Sequence, residues 1–394
     1  MKLKLKLIDF INEHADWEVL LSQAPYCLNI SRDQKFGRNL VMFKYNQINS
    51  DFSNDIVKEC RGLILDMTDG VVPFSVPFFK FFNYGEPNAA SIDWESAIVL
   101  EKIDGSIIKV VKYNDELLVS TNGCIDAYKC ALPSVIGSPF TSFGELFEDA
   151  VLNQFRQCIG RDGSHDEAMK WFKALLELPN HTYMFELVSK WNRVVVPHEE
   201  SKLYFIGLRD NEFLDERPFI ESCLINYFSM PKFYDLNSLE DVVAAADKLP
   251  WDEEGYVVLD KNFNRVKIKS PAYVAIHRMA NNGNLSIRRA VDVYMAGECD
   301  EVLAYFPEYK PTFDKIQQAF DNTVSKIEQL YHDLMIIDLH NRKDQATWIF
   351  KNAGKKYSGV LFHLLDHDCT AQDRLKELAK TRLDSFISII GFEA

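Results

Sequence analysis

After Ser270-Pro271 the strand signals in this chain stop, and the remaining residues place apolar side chains at helical spacing. The segments 273–280, 287–295, 312–339, 344–351 and 371–390 are each amphipathic, which predicts a helical C-terminal domain over 271–394. Ahead of that boundary the texture is different. Short β-branched and aromatic runs recur at 39–47, 62–66, 97–100, 107–111, 116–120, 181–188, 202–209, 255–259 and 265–269. Helical spacing interrupts them at 7–21, at 138–178 with a polar break at Gly160–Ser164, and at 238–248, where Ser238 stands as N-cap. The 138–178 pair is expected to cover one sheet. The segregation reads as an α+β chain divided into 1–270 and 271–394.

Within the strand-rich part, Glu101-Lys102-Ile103-Asp104-Gly105-Ser106 lies between two apolar runs and reads as a tight turn joining two strands. Gly105 lets the backbone approach a ligand closely, and the turn would hold the Lys102 amine and the Asp104 carboxylate in a strand-flanked pocket. A desolvated lysine near other cations loses proton affinity and becomes a nucleophile; the plain alternative is a polar hairpin turn. Arg61, just ahead of a strand in Cys60-Arg61-Gly62, can set its fork on a phosphate or form a surface ion pair. Pro77–Glu86 is dense in aromatics around Lys80, a pattern that suits either base stacking with phosphate contact or core packing.

Alternation along 181–188 puts Glu186 on the same side as Met184 and Val188, an odd place for a carboxylate without work to do. Glu254 enters the strand that begins at Gly255. Lys267 and Lys269 point to one face of the next strand, where they would repel each other unless an anion sits between them.

Other classes are excluded by what is missing. The formal net charge of −14 argues against a protein that coats nucleic acid non-specifically, although it permits a local basic groove. There is no Gly-x-x-x-x-Gly-Lys-Ser/Thr loop and no His-Glu-x-x-His. The cysteines lack paired spacing, as expected of a reducing compartment. No apolar run is long enough for a membrane helix, and the start lacks the apolar core of a secretory leader. A cytoplasmic location is expected, the host cytoplasm for a viral source.

The ordered set Lys102-x-Asp104-Gly105, Phe185-Glu186, Tyr204-Phe205-Ile206-Gly207, Glu254-Gly255 and Lys267-Ile268-Lys269 resembles the motifs of the covalent nucleotidyltransferases, the superfamily of ATP-dependent ligases and mRNA capping enzymes. Cys60-Arg61-Gly62, Lys80-Phe81-Phe82-Asn83-x-Gly85-Glu86, the Lys267-Ile268-Lys269-Ser270-Pro271-x-Tyr273 ending and the helical C-terminus are similar to the bacteriophage-type RNA ligases of tRNA repair. That resemblance implies a nucleotidyltransferase domain of mainly antiparallel sheets flanked by helices, followed by an all-α domain for RNA specificity. It implies ATP as co-substrate and Mg2+ or Mn2+ as metal. RNA with 3′-hydroxyl and 5′-phosphate ends would be the substrate, cleaved tRNA being the candidate, and the protein would act as a monomer.

In the implied mechanism Lys102 accepts AMP, an RNA 5′-phosphate takes it over, and a 3′-hydroxyl displaces it. ATP would be bound by Arg61, Lys80, Glu101, Asp104, Gly105, Glu186, Phe205, Lys267 and Lys269, with Phe205 on the purine face. Glu254 and Glu186 would serve the metal, and Lys267 and Lys269 would help lower the Lys102 pKa. One departure stands out: relatives place a basic residue beside a glycine where this chain has Thr121-Asn122-Gly123. Either Asn122 makes a neutral contact, or Lys112 or Lys129 substitutes. Two other functions fit the same motifs, a GTP-dependent RNA guanylyltransferase and a non-catalytic RNA-binding protein that keeps the fold.

Overall fold

A computed structural model describes residues 4–392 except 48, 133–137, 218–221, 281–284, 298, 300–301, 304–305, 338 and 340. The chain forms two compact units, 1–277 and 278–394. The division falls inside the helix Pro271–Ala280, rather than at Ser270-Pro271, because the first turns of that helix carry Tyr273 back onto the N-terminal unit.

The N-terminal unit is built on three sheets. Its strands are β1 (Leu28–Lys35), β2 (Arg38–Tyr45), β3 (Arg61–Asp66), β4 (Val72–Ser75), β5 (Phe82–Asn83), β6 (Ile98–Glu101) and β7 (Ser106–Tyr113). They continue as β8 (Glu116–Thr121), β9 (His181–Val188), β10 (Lys202–Asp210), β11 (Glu216–Arg217), β12 (Phe233–Tyr234), β13 (Gly255–Leu259) and β14 (Arg265–Lys269). The sheet orders are β1-β2-β3-β4, β11-β10-β9-β7-β8 and β12-β6-β13-β14-β5. Pairing is antiparallel throughout except between β14 and β5. The fold is therefore α+β with mainly antiparallel sheets, as the sequence implied.

Alternation along β7 and β9 sends side chains to two different places. Ile108, Val110, Tyr183 and Phe185 enter a core with the helices Phe143–Ile159 and His165–Leu175, so those helices do cover this sheet. Both helices open with a capping box, on Ser142–Glu145 and Ser164–Glu167, and the first ends at left-handed Gly160. On the opposite face Val111 and Leu118 pack against Leu40, Met42 and Ile64 of the β1–β4 sheet. Glu186 lies on that second face, beside a cavity it shares with Leu100, Glu101, Val257 and Leu259 of the third sheet.

The expected helix over 7–21 is broken into Lys6–Glu13 and Trp17–Ser22, because His14 is extended. The start of the first piece is held by the buried Glu59 carboxylate, which accepts from the Lys6 and Leu7 backbone amides at 3.0 Å each. Burial pushes the Glu59 carboxyl up to about 7 despite those bonds.

The C-terminal unit is helical. Lys310–Ile336 buries Phe313, Ile316, Phe320, Ile327, Leu330 and Leu334 at helical spacing and packs against Gly354–Asp366, Ala371–Thr381 and Leu383–Ile390.

Candidate active site

Lys102 follows the last residue of β6, and its amide donates to the Gly255 carbonyl at 2.8 Å, so the turn is stitched to the start of β13. This places the Lys102 Nζ 2.7 Å from Glu254 Oε2, while Glu254 Oε1 lies 2.7 Å from the Lys269 Nζ. Glu254 is only 4% exposed. Burial alone would raise its pKa, but the two ammonium groups outweigh it and hold the carboxyl below its usual range.

The same geometry reverses the expectation for Lys102. Burial would lower its proton affinity, yet the Glu254 and Glu186 carboxylates outweigh burial and hold the Lys102 pKa above the ordinary lysine value. The depression falls on Lys267 instead. Burial, followed by the charges of Lys102, Lys80, Arg61 and Lys269, brings Lys267 down to about 7. Glu186, half-buried on β9, is pushed up to about 7 by desolvation, only partly offset by Lys102.

Beside these groups lies a cavity of about 280 Å³. Its apolar wall includes Leu100, Ile103, Ile107, Ile206, Val257 and Leu259, and its polar side includes Arg61, Glu101, Lys102, Asn122 and Glu186. A flat heterocycle suits the apolar wall, and a charged tail suits the polar side. Phe81 lines this cavity and a second one of about 390 Å³, and both Arg61 and Lys267 sit over its ring, at 5.3 and 5.2 Å from the centroid. Gly105 lines the first cavity because its backbone presses on β9; a Cβ there would collide with the Leu187 carbonyl.

Several expected roles change. Phe205 does not reach the cavity: it is fully buried in the core beneath the two helices, 5.4 Å from Phe185. Ile206 lines the cavity instead. The cause is register: Phe205 pairs with Phe185 and shares its core face, Tyr204 pairs with Glu186, and Ile206 alternates to the cavity side just ahead of a bulge that pairs Gly207 with Met184. Gly207 is required there, since a Cβ would overlap the Phe78 ring.

Asp104 also turns away from the cavity. Its Oδ2 accepts from the Val195 and Val196 amides at 2.8 and 2.7 Å, and its Oδ1 accepts from the Tyr273 hydroxyl at 2.8 Å. It is a fixing post for the lysine turn rather than a ligand contact. Glu101 lines the cavity, and its carboxylate accepts from the Lys232 amide at 3.3 Å. Lys80 lines the second cavity, over the rings of Tyr45, Phe52 and Phe82.

Neither substitute for the missing basic residue is at the site. Lys112 donates to the Lys173 and Leu176 carbonyls, and Lys129 pairs with Asp33. Tyr273, part of the closing motif but given no role from the sequence, proves to be a structural tie to Asp104. Its position in Pro271-x-Tyr273, next to the site strand, was the available signal.

A divalent ion fits this donor set in a limited way. Among the described residues no group of three or more His, Cys, Asp or Glu side chains could hold a metal. Buried Glu254 and half-buried Glu186 offer two carboxylates, enough for a hydrated ion shared with phosphates but too few for an all-protein cage.

A family model described as RNA ligase matches residues 59–273, from just ahead of Arg61 to Tyr273. This chain belongs to the RNA ligase family. It is 32% identical over 284 residues to a putative bifunctional polynucleotide kinase/RNA ligase of Autographa californica nuclear polyhedrosis virus, a match covering 69% of the chain and 38% of that relative. It is 24% identical over 350 residues to an RNA ligase of Rhodothermus phage RM378, covering 74% of the chain and 76% of that protein. An archaeal ATP-dependent RNA ligase structure superposes with a TM-score of 0.41 at 13% identity, covering 74% of this chain and 68% of that one.

Proposed function

We propose that the protein is an ATP-dependent RNA ligase that joins RNA 3′-hydroxyl and 5′-phosphate ends through lysyl-AMP and RNA-adenylate intermediates. The observation that carries this reading is Lys102, fixed at the cavity rim with its amine on Glu254 and with Lys267, Lys269 and Arg61 converging beside it. The apolar wall takes the adenine, with Ile206 and Val257 against its faces. Lys267, Lys269 and Arg61 draw the phosphates across the Lys102 amine. The Lys102 ammonium passes a proton to the Glu254 carboxylate paired with it, and the freed amine forms a bond to the α-phosphorus while the bond to the β-phosphate oxygen breaks and pyrophosphate leaves. The same cations then stabilise charge on the phosphoryl oxygens when an RNA 5′-phosphate and afterwards a 3′-hydroxyl take their turns. A divalent ion near Glu254 and Glu186 would supply further charge neutralisation on those oxygens. Asp104 and Tyr273 keep the lysine turn from moving.

A role in RNA repair, with cleaved tRNA as substrate, is supported by the viral relative's name, which couples the ligase to a polynucleotide kinase. Incubation with α-labelled ATP and Mg2+ or Mn2+ is expected to leave an acid-stable label on the wild-type chain and none on Lys102→Ala. Label from GTP but not ATP would point to guanylyl transfer. No label from either would leave a binding protein with this fold.

A further inference from the structure

Beneath the phosphate-facing side of the cavity lies a lysine that no motif contains. Lys109, in the middle of β7, is fully buried between the first two sheets. Its Nζ donates to the Gly62 carbonyl, and no carboxylate among the described residues pairs with it. It stands across from Ser120 on β8 and Met184 on β9, neither of which can neutralise it. Charged groups on the elements around it include Arg61 on β3, Lys44 beside it on β2 with its Nζ at the Gly123 turn, and Glu186 along the same face of β9; of these, only Arg61 adds to burial in setting its protonation.

The contacts make one unit of three segments. Gly62 has φ of +77°, and a Cβ there would fall 2.8 Å from the Asn122 Cα and 3.0 Å from the Lys109 Nζ. At this crossing the Asn122 backbone and the Lys109 Nζ both close on the side of Gly62 that a Cβ would occupy. Above that crossing, Arg61 Nη1 and Asn122 Oδ1 are both buried without a hydrogen-bond partner, and both residues line the cavity. A buried cation without an anion is costly, and the unpaired Arg61 Nη1 donor above it adds to the cost unless an anion enters, whereas the Asn122 Oδ1 acceptor calls for a donor.

We propose that Lys109 is a positioning residue of the phosphate subsite, holding Gly62 and Asn122 from below and adding its charge when an anion meets Arg61. This supplies, from the neighbouring strand, the positive charge absent at Asn122 itself. Burial and the Arg61 charge bring Lys109 down to about 7, so near neutral pH the empty subsite holds it partly uncharged. An anion on Arg61 removes that repulsion, and Lys109 then takes up a proton. The proposal rests on the ligase reading for its substrate, but its test does not.

Inorganic pyrophosphate is titrated into the full-length protein by calorimetry at about pH 8, in buffers of differing ionisation heat, to count protons taken up. The wild type is expected to take up a fraction of a proton more than Lys109→Met. Lys109→Met is expected to bind roughly tenfold more weakly, with Lys109→Arg close to wild type. Asn122→Lys added to Lys109→Met should restore affinity without restoring the extra uptake. Equal affinity and equal proton uptake in wild type and Lys109→Met would overturn the proposal, as would failure of Asn122→Lys to recover binding in the folded double variant. Normal pyrophosphate linkage in a protein that forms no lysyl-AMP would sink the ligase reading and leave this one standing.

Discussion

Exchanging the roles of Phe205 and Ile206 gives two variants with opposite signatures. Phe205 is fully buried against Phe185 in the helix-covered core, so Phe205→Ala should cost about 3–5 kcal/mol from lost burial and the cavity left behind. In a unit of this size that lowers the melting temperature by about 10 °C. Ile206 is only partly buried and faces the cavity, so Ile206→Ala should cost about 1 kcal/mol of stability. It also removes apolar surface from the purine, which should raise the ATP concentration for half-maximal lysyl-AMP formation about tenfold. The assay pairs thermal unfolding with ATP dependence of adduct formation. A Phe205→Ala protein that melts normally but binds ATP poorly, beside an Ile206→Ala protein with unchanged ATP dependence, would refute this assignment of the two faces.

Tyr273→Phe removes the hydroxyl from Asp104 Oδ1 and should cost about 1–3 kcal/mol of stability, slowing adenylylation with little change in apparent ATP affinity; a rate equal to wild type contradicts the tie. The Glu59 carboxyl titrates higher in the folded chain than in the unfolded one. Its contribution to stability is thus complete below the ordinary carboxylate value of 4.5 and is lost as pH rises through about 7. Denaturant melts should therefore show Glu59→Gln gaining on the wild type as pH rises across that window, and a constant difference would disprove it. Removal of 278–394 should leave the Lys102 adduct on the folded 1–277 unit while impairing RNA joining and substrate choice. A folded truncation that cannot be labelled would show that the helical unit serves the first step too.

The motif strands were legible because their side chains must alternate: Glu186, Lys267 and Lys269 fall on the faces that alternation assigns them. Phe205 was misplaced because the face it takes is set by its pairing with Phe185, while Tyr204 pairs with Glu186, and that register joins strands remote in sequence. The function of Asp104 could not be read because its partners, two backbone amides and Tyr273, are remote in sequence. β1 went unseen because Asn29-Ile30-Ser31-Arg32-Asp33-Gln34 is polar, as suits an edge strand pairing only with β2. The helix Gly354–Asp366 went unseen because Gly354-Lys355-Lys356 suggests a loop, although Gly354 in fact opens the helix at φ of +61°. The sign of the Lys102 shift could not be foreseen either, since it depends on Glu254 lying closer to the amine than any cation does.

The Glu254 grip on Lys102 also bears on the life of the idle protein. A lysine kept as an ammonium ion has no lone pair to offer, so acylating agents and aldehydes in the surrounding fluid find nothing to attack there. The proposed nucleophile is stored in an inert form and becomes reactive only once its proton has passed to a carboxylate of the site. An amine-selective reagent applied at neutral pH should accordingly modify exposed lysines such as Lys355 well before Lys102.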